Sequence, residues 1–268
     1  MRFILFLLTG IIPGFTLSQQ VCRVNLLQAH PYDTLQKYSY LVVSMRRDDR
    51  HHKDYAPIAF GTGFFVWKKD RLFLISARHV FSNCDPYGDP SETRVDTPVA
   101  IKVWYRDARE RAVYRLIPLS RDKMLAPCKP LIAVPDVDTL DVTAWFKGEK
   151  INPVDSLMPD YRDFHFLSPC DTVVTYGYPI EPNNADSIEK NPNLRPVGYI
   201  SYSSDMPNDQ TKYVLGQLSA SYYAIEPGLP KGVSGAPVFR VSWSENSGKP
   251  IVQFSGIQSG TKEDWKFS

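Results

Sequence analysis

Lys231-Gly232-Val233-Ser234-Gly235-Ala236-Pro237-Val238-Phe239 sets a serine between two glycines and runs through a proline into an apolar stretch. A serine hydroxyl is a weak nucleophile until a base removes its proton and donors hold the oxyanion it creates. Glycine, without a Cβ, lets the backbone turn sharply on either side. The N–H groups of Gly232 and Ser234 can then converge on one point. The same nine residues also suit an ordinary turn between two strands. The choice depends on whether the rest of the chain supplies a base and an acid to orient it.

Outward from this turn, the chain reads as short strands separated by turn chemistry. Runs rich in Val, Ile, Tyr and Phe predict strands at Leu41–Met45, Ile58–Trp67, Arg71–Ser76, Val99–Tyr105, Ala112–Ile117 and Val142–Phe146. A second set is predicted at Thr172–Tyr176, Pro196–Ser201, Tyr213–Ile225, Ala236–Trp243 and Ile251–Ile257. No amphipathic pattern is longer than about three turns, so helices are expected to be few. Loops are expected at Arg46–Asp54, Asn83–Thr97 and Ile180–Arg195. Residues 151–168 read as a linker between two strand sets of similar size. The expectation is an all-β protein with two antiparallel barrels, at 19–150 and 169–268, and a cleft between them.

Composition narrows the partners. The 268 residues are 43% apolar, enough to bury a real core. With 31 basic and 29 acidic residues the formal charge is only +2, which gives no reason to expect nucleic acid or an anionic membrane as partner. Residues 1–18 read as a secretory signal: Arg2, an apolar segment through Ile12, a Pro13-Gly14 break and small residues before Gln19. The apolar run falls short of the ~20 residues a membrane span needs. An exported chain, secreted or periplasmic, is expected. Its four cysteines, Cys22, Cys84, Cys128 and Cys170, are expected to form disulfides, in any of three pairings. None has metal-ligand spacing, so neither a metal nor another cofactor is expected.

Base and acid come next. His79 ends Leu72-Phe73-Leu74-Ile75-Ser76-Ala77-Arg78-His79, where a strand delivers an imidazole behind small residues. His30, His51, His52 and His165 sit in polar or loop contexts and are read as structural or solvated. Asp141 opens Asp141-Val142-Thr143-Ala144-Trp145-Phe146, at the mouth of an expected strand, with Asp136 and Asp138 on the approach. A carboxylate there is costly to bury unless paired, for instance with an imidazole N–H. His79, Asp141 and Ser234 follow one another at intervals of 62 and 93 residues.

In that order the chain resembles the bacterial forms of trypsin-like serine peptidases, which have the chymotrypsin fold. Gly61-Thr62-Gly63-Phe64-Phe65-Val66 resembles the strand before the histidine, and Ile75-Ser76-Ala77-Arg78-His79-Val80 the histidine motif. Asp141-Val142-Thr143-Ala144 resembles the aspartate motif, and Gly232-Val233-Ser234-Gly235-Ala236-Pro237-Val238 the serine motif. Gly177-Tyr178-Pro179 and Pro196-Val197-Gly198 also sit where such proteins carry similar residues. The resemblance spans about Phe60 to Gly260. It implies a serine endopeptidase acting on protein or peptide substrates through His79, Asp141 and Ser234, with the N–H groups of Gly232 and Ser234 as oxyanion hole. It also implies that Gln258-Ser259-Gly260 pairs with an extended substrate.

Two departures qualify this. Family members activated by cleavage carry an acid just before the serine, where this chain has Val233, so no proteolytic activation step is expected. Only eight residues follow Gly260, where the family usually continues with a strand and a helix, so the C-terminal barrel is expected to be incomplete or the chain to be a non-catalytic binding module of the same fold. An α/β-hydrolase is not expected, because that fold places its histidine after the serine and no histidine follows His165.

Overall fold

The computed structural model describes residues 30–47, 55–82, 98–119, 136–159, 167–168, 170–180, 194–204, 212–215, 218–221, 224–226 and 229–259. The signal-like segment, Cys22, Cys84, Cys128, His51, His52, His165 and Gly260 lie outside these residues, and so does the disulfide pairing.

The protein is all-β. Thirteen strands are described: β1 (Tyr40–Arg46), β2 (Ala56–Lys68), β3 (Arg71–Ser76), β4 (Ala100–Arg106), β5 (Ala112–Pro118), β6 (Asp138–Asp141), β7 (Thr172–Gly177), β8 (Val197–Ser204), β9 (Lys212–Leu215), β10 (Leu218–Ser221), β11 (Ala224–Glu226), β12 (Pro237–Trp243) and β13 (Pro250–Ile257). The first six make one antiparallel sheet in the order β5-β4-β1-β2-β3-β6. A second antiparallel sheet runs β11-β8-β7-β12-β13, and β9 with β10 forms a separate pair. The expected single strand at Tyr213–Ile225 is therefore three short ones. Among the described residues, helix is confined to α1 (Arg78–Ser82) and two 3-10 segments, His30–Tyr38 and Val154–Leu157. No helix among the described residues is long and apolar enough to cross a membrane.

Local chemistry explains the ladder. β2 and β3 pair from Gly63↔Ser76 to Lys68↔Arg71. The two residues between them, Lys69 and Asp70, both have positive φ (49° and 61°), the signature of the tight turn that matches strand twist. β1 reads Tyr-Leu-Val-Val-Ser-Met without alternation because both of its faces are covered. Tyr40 and Val42 pack with Phe65, Leu74 and Phe146, while Leu41, Val43 and Met45 pack with Trp104, Tyr178 and Leu194. Burying such side chains stabilises the fold by about 1.5–3 kcal/mol each.

The two sheets share a core. Phe64 of β2 joins Val174 and Tyr176 of β7 and Phe239 of β12, closed over by Tyr32, Leu35 and Tyr38 of the first 3-10 segment. Residues 151–159, expected to be a linker, are packed into the same core through Val154. Asp155 accepts the Trp67 N–H on both carboxylate oxygens, at 3.0 and 2.9 Å. Asp155→Ala is expected to cost about 1 kcal/mol, seen as a melting temperature lower by ~2–4 °C; a thermal unfolding scan checks this.

One expected strand is misplaced in the sequence reading. Val142–Phe146 is a turn, in which Trp145 and Phe146 both donate to the Val142 carbonyl. The strand is β6, the four residues before it, and it pairs with β3. The ladder stops after the Val142 N–H bonds the Leu72 carbonyl. Asp141 therefore closes a strand and does not open one.

Candidate functional site

β3 ends at Ser76, whose hydroxyl donates to the Thr62 carbonyl at 2.7 Å. Ala77 is fully buried, and the chain turns there into α1, which carries His79. The approach to β6 brings Asp136 against this helix. The His79 N–H donates to Asp136 Oδ1 at 3.0 Å, and His79 Nδ1 lies 2.6 Å from Asp136 Oδ2. The Arg78 N–H donates to the Asp136 carbonyl at 3.3 Å. A third bond reaches the carboxylate from the second half of the chain: the Ser259 hydroxyl donates to Asp136 Oδ2 at 2.6 Å.

The acid held against His79 is therefore Asp136, not Asp141. Asp141 pairs with Arg71 and accepts the Thr143 hydroxyl at 2.7 Å. Those bonds, led by Thr143, hold its carboxyl below the ordinary range. The displacement follows from the position of β6. With the strand at 138–141, Asp141 lies at its far end, opposite Phe73, and the segment entering the strand points Asp136 at α1.

Asp136 is only 2% exposed, against 23% for the His79 side chain. Burial pushes the Asp136 carboxyl upward. The hydrogen bond and charge of His79, then the Ser259 hydroxyl, outweigh burial and hold it below the ordinary value. Asp138, equally buried, moves the other way. Burial raises it, opposed by the Thr139 N–H and the nearby Arg78 charge. The two carboxyls make opposite contributions to the pH dependence of stability. A depressed carboxyl contributes stability present above its unfolded value and lost as pH falls through its folded value. A raised one penalises the fold at neutral pH and relieves it in acid. Asp136→Asn is therefore expected to flatten the acid loss of stability, and Asp138→Asn to steepen it; urea midpoints between pH 7 and pH 3 read both.

The serine turn sits on β2. Thr62 donates its N–H to the Ser234 carbonyl at 2.8 Å, and its hydroxyl donates to the Gly232 carbonyl at 2.9 Å. Gly232 and Gly235 both have φ of +88°, which favours glycine at these positions. A Cβ on Gly235 would lie 2.9 Å from the Ala77 nitrogen, so the turn is pressed against the segment that leads to His79. No hydrogen bond joins His79 to Ser234 among the described residues. Such bonds are often long in the absence of substrate.

The N–H groups of the turn alternate. Val233 donates to Pro230, Gly235 to Gln258 and Ala236 to Val233. Among the described residues, the N–H groups of Gly232 and Ser234 have no partner. Their directions follow from peptide planarity, since C=O and N–H of one trans unit point oppositely. The Lys231 carbonyl is bound by the Ile180 N–H at 3.0 Å, which turns the Gly232 N–H away from Ile180. The Val233 carbonyl is bound by the Ala236 N–H at 3.0 Å, which turns the Ser234 N–H away from Ala236.

The expected substrate edge is altered. Gln258 uses both backbone groups internally, donating to Ala236 at 2.9 Å and accepting from Gly235 at 2.6 Å, so it cannot pair with an added strand. The Ser259 hydroxyl is engaged by Asp136. Ser259, expected to pair with substrate, instead binds Asp136, and Asp136 rather than Asp141 is the acid at His79. The strand that decides this, β6, lacks strand composition, so nothing in the sequence marks Asp136 over Asp141. The chain matches no known protein-family model and no curated protein sequence.

Proposed function

We propose that the protein is a serine endopeptidase acting through His79, Asp136 and Ser234. The observation that carries this reading is the imidazole of His79 held at 2.6 Å on a buried, ionised Asp136. With Nδ1–H donated to the carboxylate, Nε2 carries the lone pair and serves as the base. In the reaction, Ser234 Oγ attacks the peptide carbonyl carbon and its proton passes to His79 Nε2. The carbonyl oxygen becomes an oxyanion facing the Gly232 and Ser234 N–H groups. The C–N bond then breaks, and His79 returns the proton to the leaving amine. Water, deprotonated by His79, hydrolyses the acyl-enzyme and restores Ser234. Asp136 stays ionised and holds the imidazolium.

In this reading the two sheets are the walls of two barrels of the chymotrypsin type, with His79 and Asp136 from the first and Ser234 from the second. Val233, buried and uncharged before the serine, supports an enzyme needing no new amino terminus for activation. The leader-like residues 1–18 support export. The test is presteady-state hydrolysis of p-nitrophenyl butyrate together with digestion of unfolded casein. A burst of one nitrophenol per chain and casein cleavage, both lost in Ser234→Ala, are expected. A folded wild type with neither activity would favour the same fold serving only to bind.

A further inference from the structure

Resting on Ser234 as nucleophile, we propose that Thr62 is the positioning residue of the oxyanion turn, holding the Gly232 and Ser234 N–H groups in register through four hydrogen bonds made by its N–H, carbonyl and hydroxyl. Thr62 is fully buried on β2, some 170 residues from the turn it holds. Its N–H donates to the Ser234 carbonyl at 2.8 Å. Its hydroxyl donates to the Gly232 carbonyl at 2.9 Å and accepts the Tyr178 N–H at 3.0 Å. Its carbonyl accepts the Ser76 hydroxyl at 2.7 Å, which ties the arrangement to the segment leading to His79.

The peptide units of the turn fall into two kinds. Those ending in the Gly232 and Ser234 nitrogens are pinned by their carbonyls, on Ile180 and Ala236. Those between and after them have their carbonyls pinned by Thr62 alone among the described partners. The hydroxyl works as a relay: it is fixed by the Tyr178 N–H and so must donate its single proton to Gly232. Valine keeps the branched shape but loses the relay. The Gly232–Val233 unit then loses its carbonyl anchor and is held only by the longer Val233–Pro230 bond, at 3.3 Å, so the neighbouring N–H groups lose their common aim. Oxyanion donors act only when held where charge develops, so misalignment lowers turnover more than ground-state binding.

The experiment compares wild type, Thr62→Val, Thr62→Ala and Thr62→Ser, using labelling rate with a fluorophosphonate and kcat and KM for p-nitrophenyl butyrate. Thr62→Val and Thr62→Ala are expected to slow labelling and kcat by about 10–100-fold with KM within about threefold. Thr62→Ser, which keeps the hydroxyl, is expected to stay within about threefold of wild type in every parameter. Folded Val or Ala variants that label at the wild-type rate overturn the inference while leaving the hydrolase reading intact. If neither folds, a serine variant slowed more than tenfold overturns it, because packing and not the hydroxyl then carries the effect. A serine variant at wild-type rate beside unfolded Val and Ala variants supports it. A folded wild type that does not label overturns the hydrolase reading and this inference together.

Discussion

Asp136→Asn is expected to lower kcat by about four orders of magnitude, while Asp141→Asn leaves it within about threefold. An amide in place of the Asp136 carboxylate offers His79 no charge to stabilise its protonated form, and its NH2 group favours the wrong imidazole tautomer. The effect is large because three separate bonds, from the His79 ring, the His79 N–H and the Ser259 hydroxyl, all require an acceptor at that site. Asp141 bonds Arg71 and Thr143 at the end of β6 and touches no part of this arrangement. Steady-state kinetics on an ester and a peptide substrate check both. Equal losses in the two variants would mean that His79 takes its partner from a different arrangement in solution.

Gly235→Ala is expected to destabilise the protein by about 4 kcal/mol or more and to abolish activity. The added Cβ would meet the Thr62 carbonyl at 2.0 Å and the Ser76 hydroxyl at 2.2 Å, at a φ of +88°. Neither neighbour can retreat, because each is buried and bonded to the other. Gly248→Ala is the control. Its φ is also positive, at +61°, but nothing lies within 4 Å of the new atom. Only the backbone preference is lost there, about 1–2 kcal/mol. Urea unfolding of the two variants separates contact from conformation. A Gly235→Ala midpoint close to that of Gly248→Ala would contradict the close docking of the serine turn on β2.

The strand pattern was readable wherever side-chain chemistry and tertiary context agreed. β3 is found at Arg71–Ser76, as its apolar run predicts, and β1 and β12 are within a residue or two of expectation. The reading failed where they disagreed. Val142-Thr143-Ala144-Trp145-Phe146 has strand composition, yet it turns: the Leu72 N–H of β3 is taken by the Thr143 hydroxyl at 2.8 Å and the Val142 carbonyl by the Trp145 and Phe146 N–H groups. Asp138-Thr139-Leu140-Asp141 has poor strand composition, yet β3 pairs with it. That exchange moved the acid from 141 to 136. The run at Tyr213–Ile225 is rich in Tyr, Leu, Val and Ala, but β9 and β10 fold back on each other, with Gly216 and Gln217 between them. The glycines at 232 and 235 announced the turn locally. The role of Thr62 could not be recognised in advance, because the partners that tie it to the serine turn, Tyr178, Gly232 and Ser234, lie in the other half of the chain.

In the proposed reaction His79 activates Ser234 and no other hydroxyl. Intact-mass analysis after diisopropyl fluorophosphate treatment, with the adduct mapped by peptide fragmentation, tests it most directly. One phosphoryl adduct on Ser234, absent from His79→Ala, is the predicted result. A folded wild-type chain that takes up no adduct, or takes it up at another residue, would contradict it.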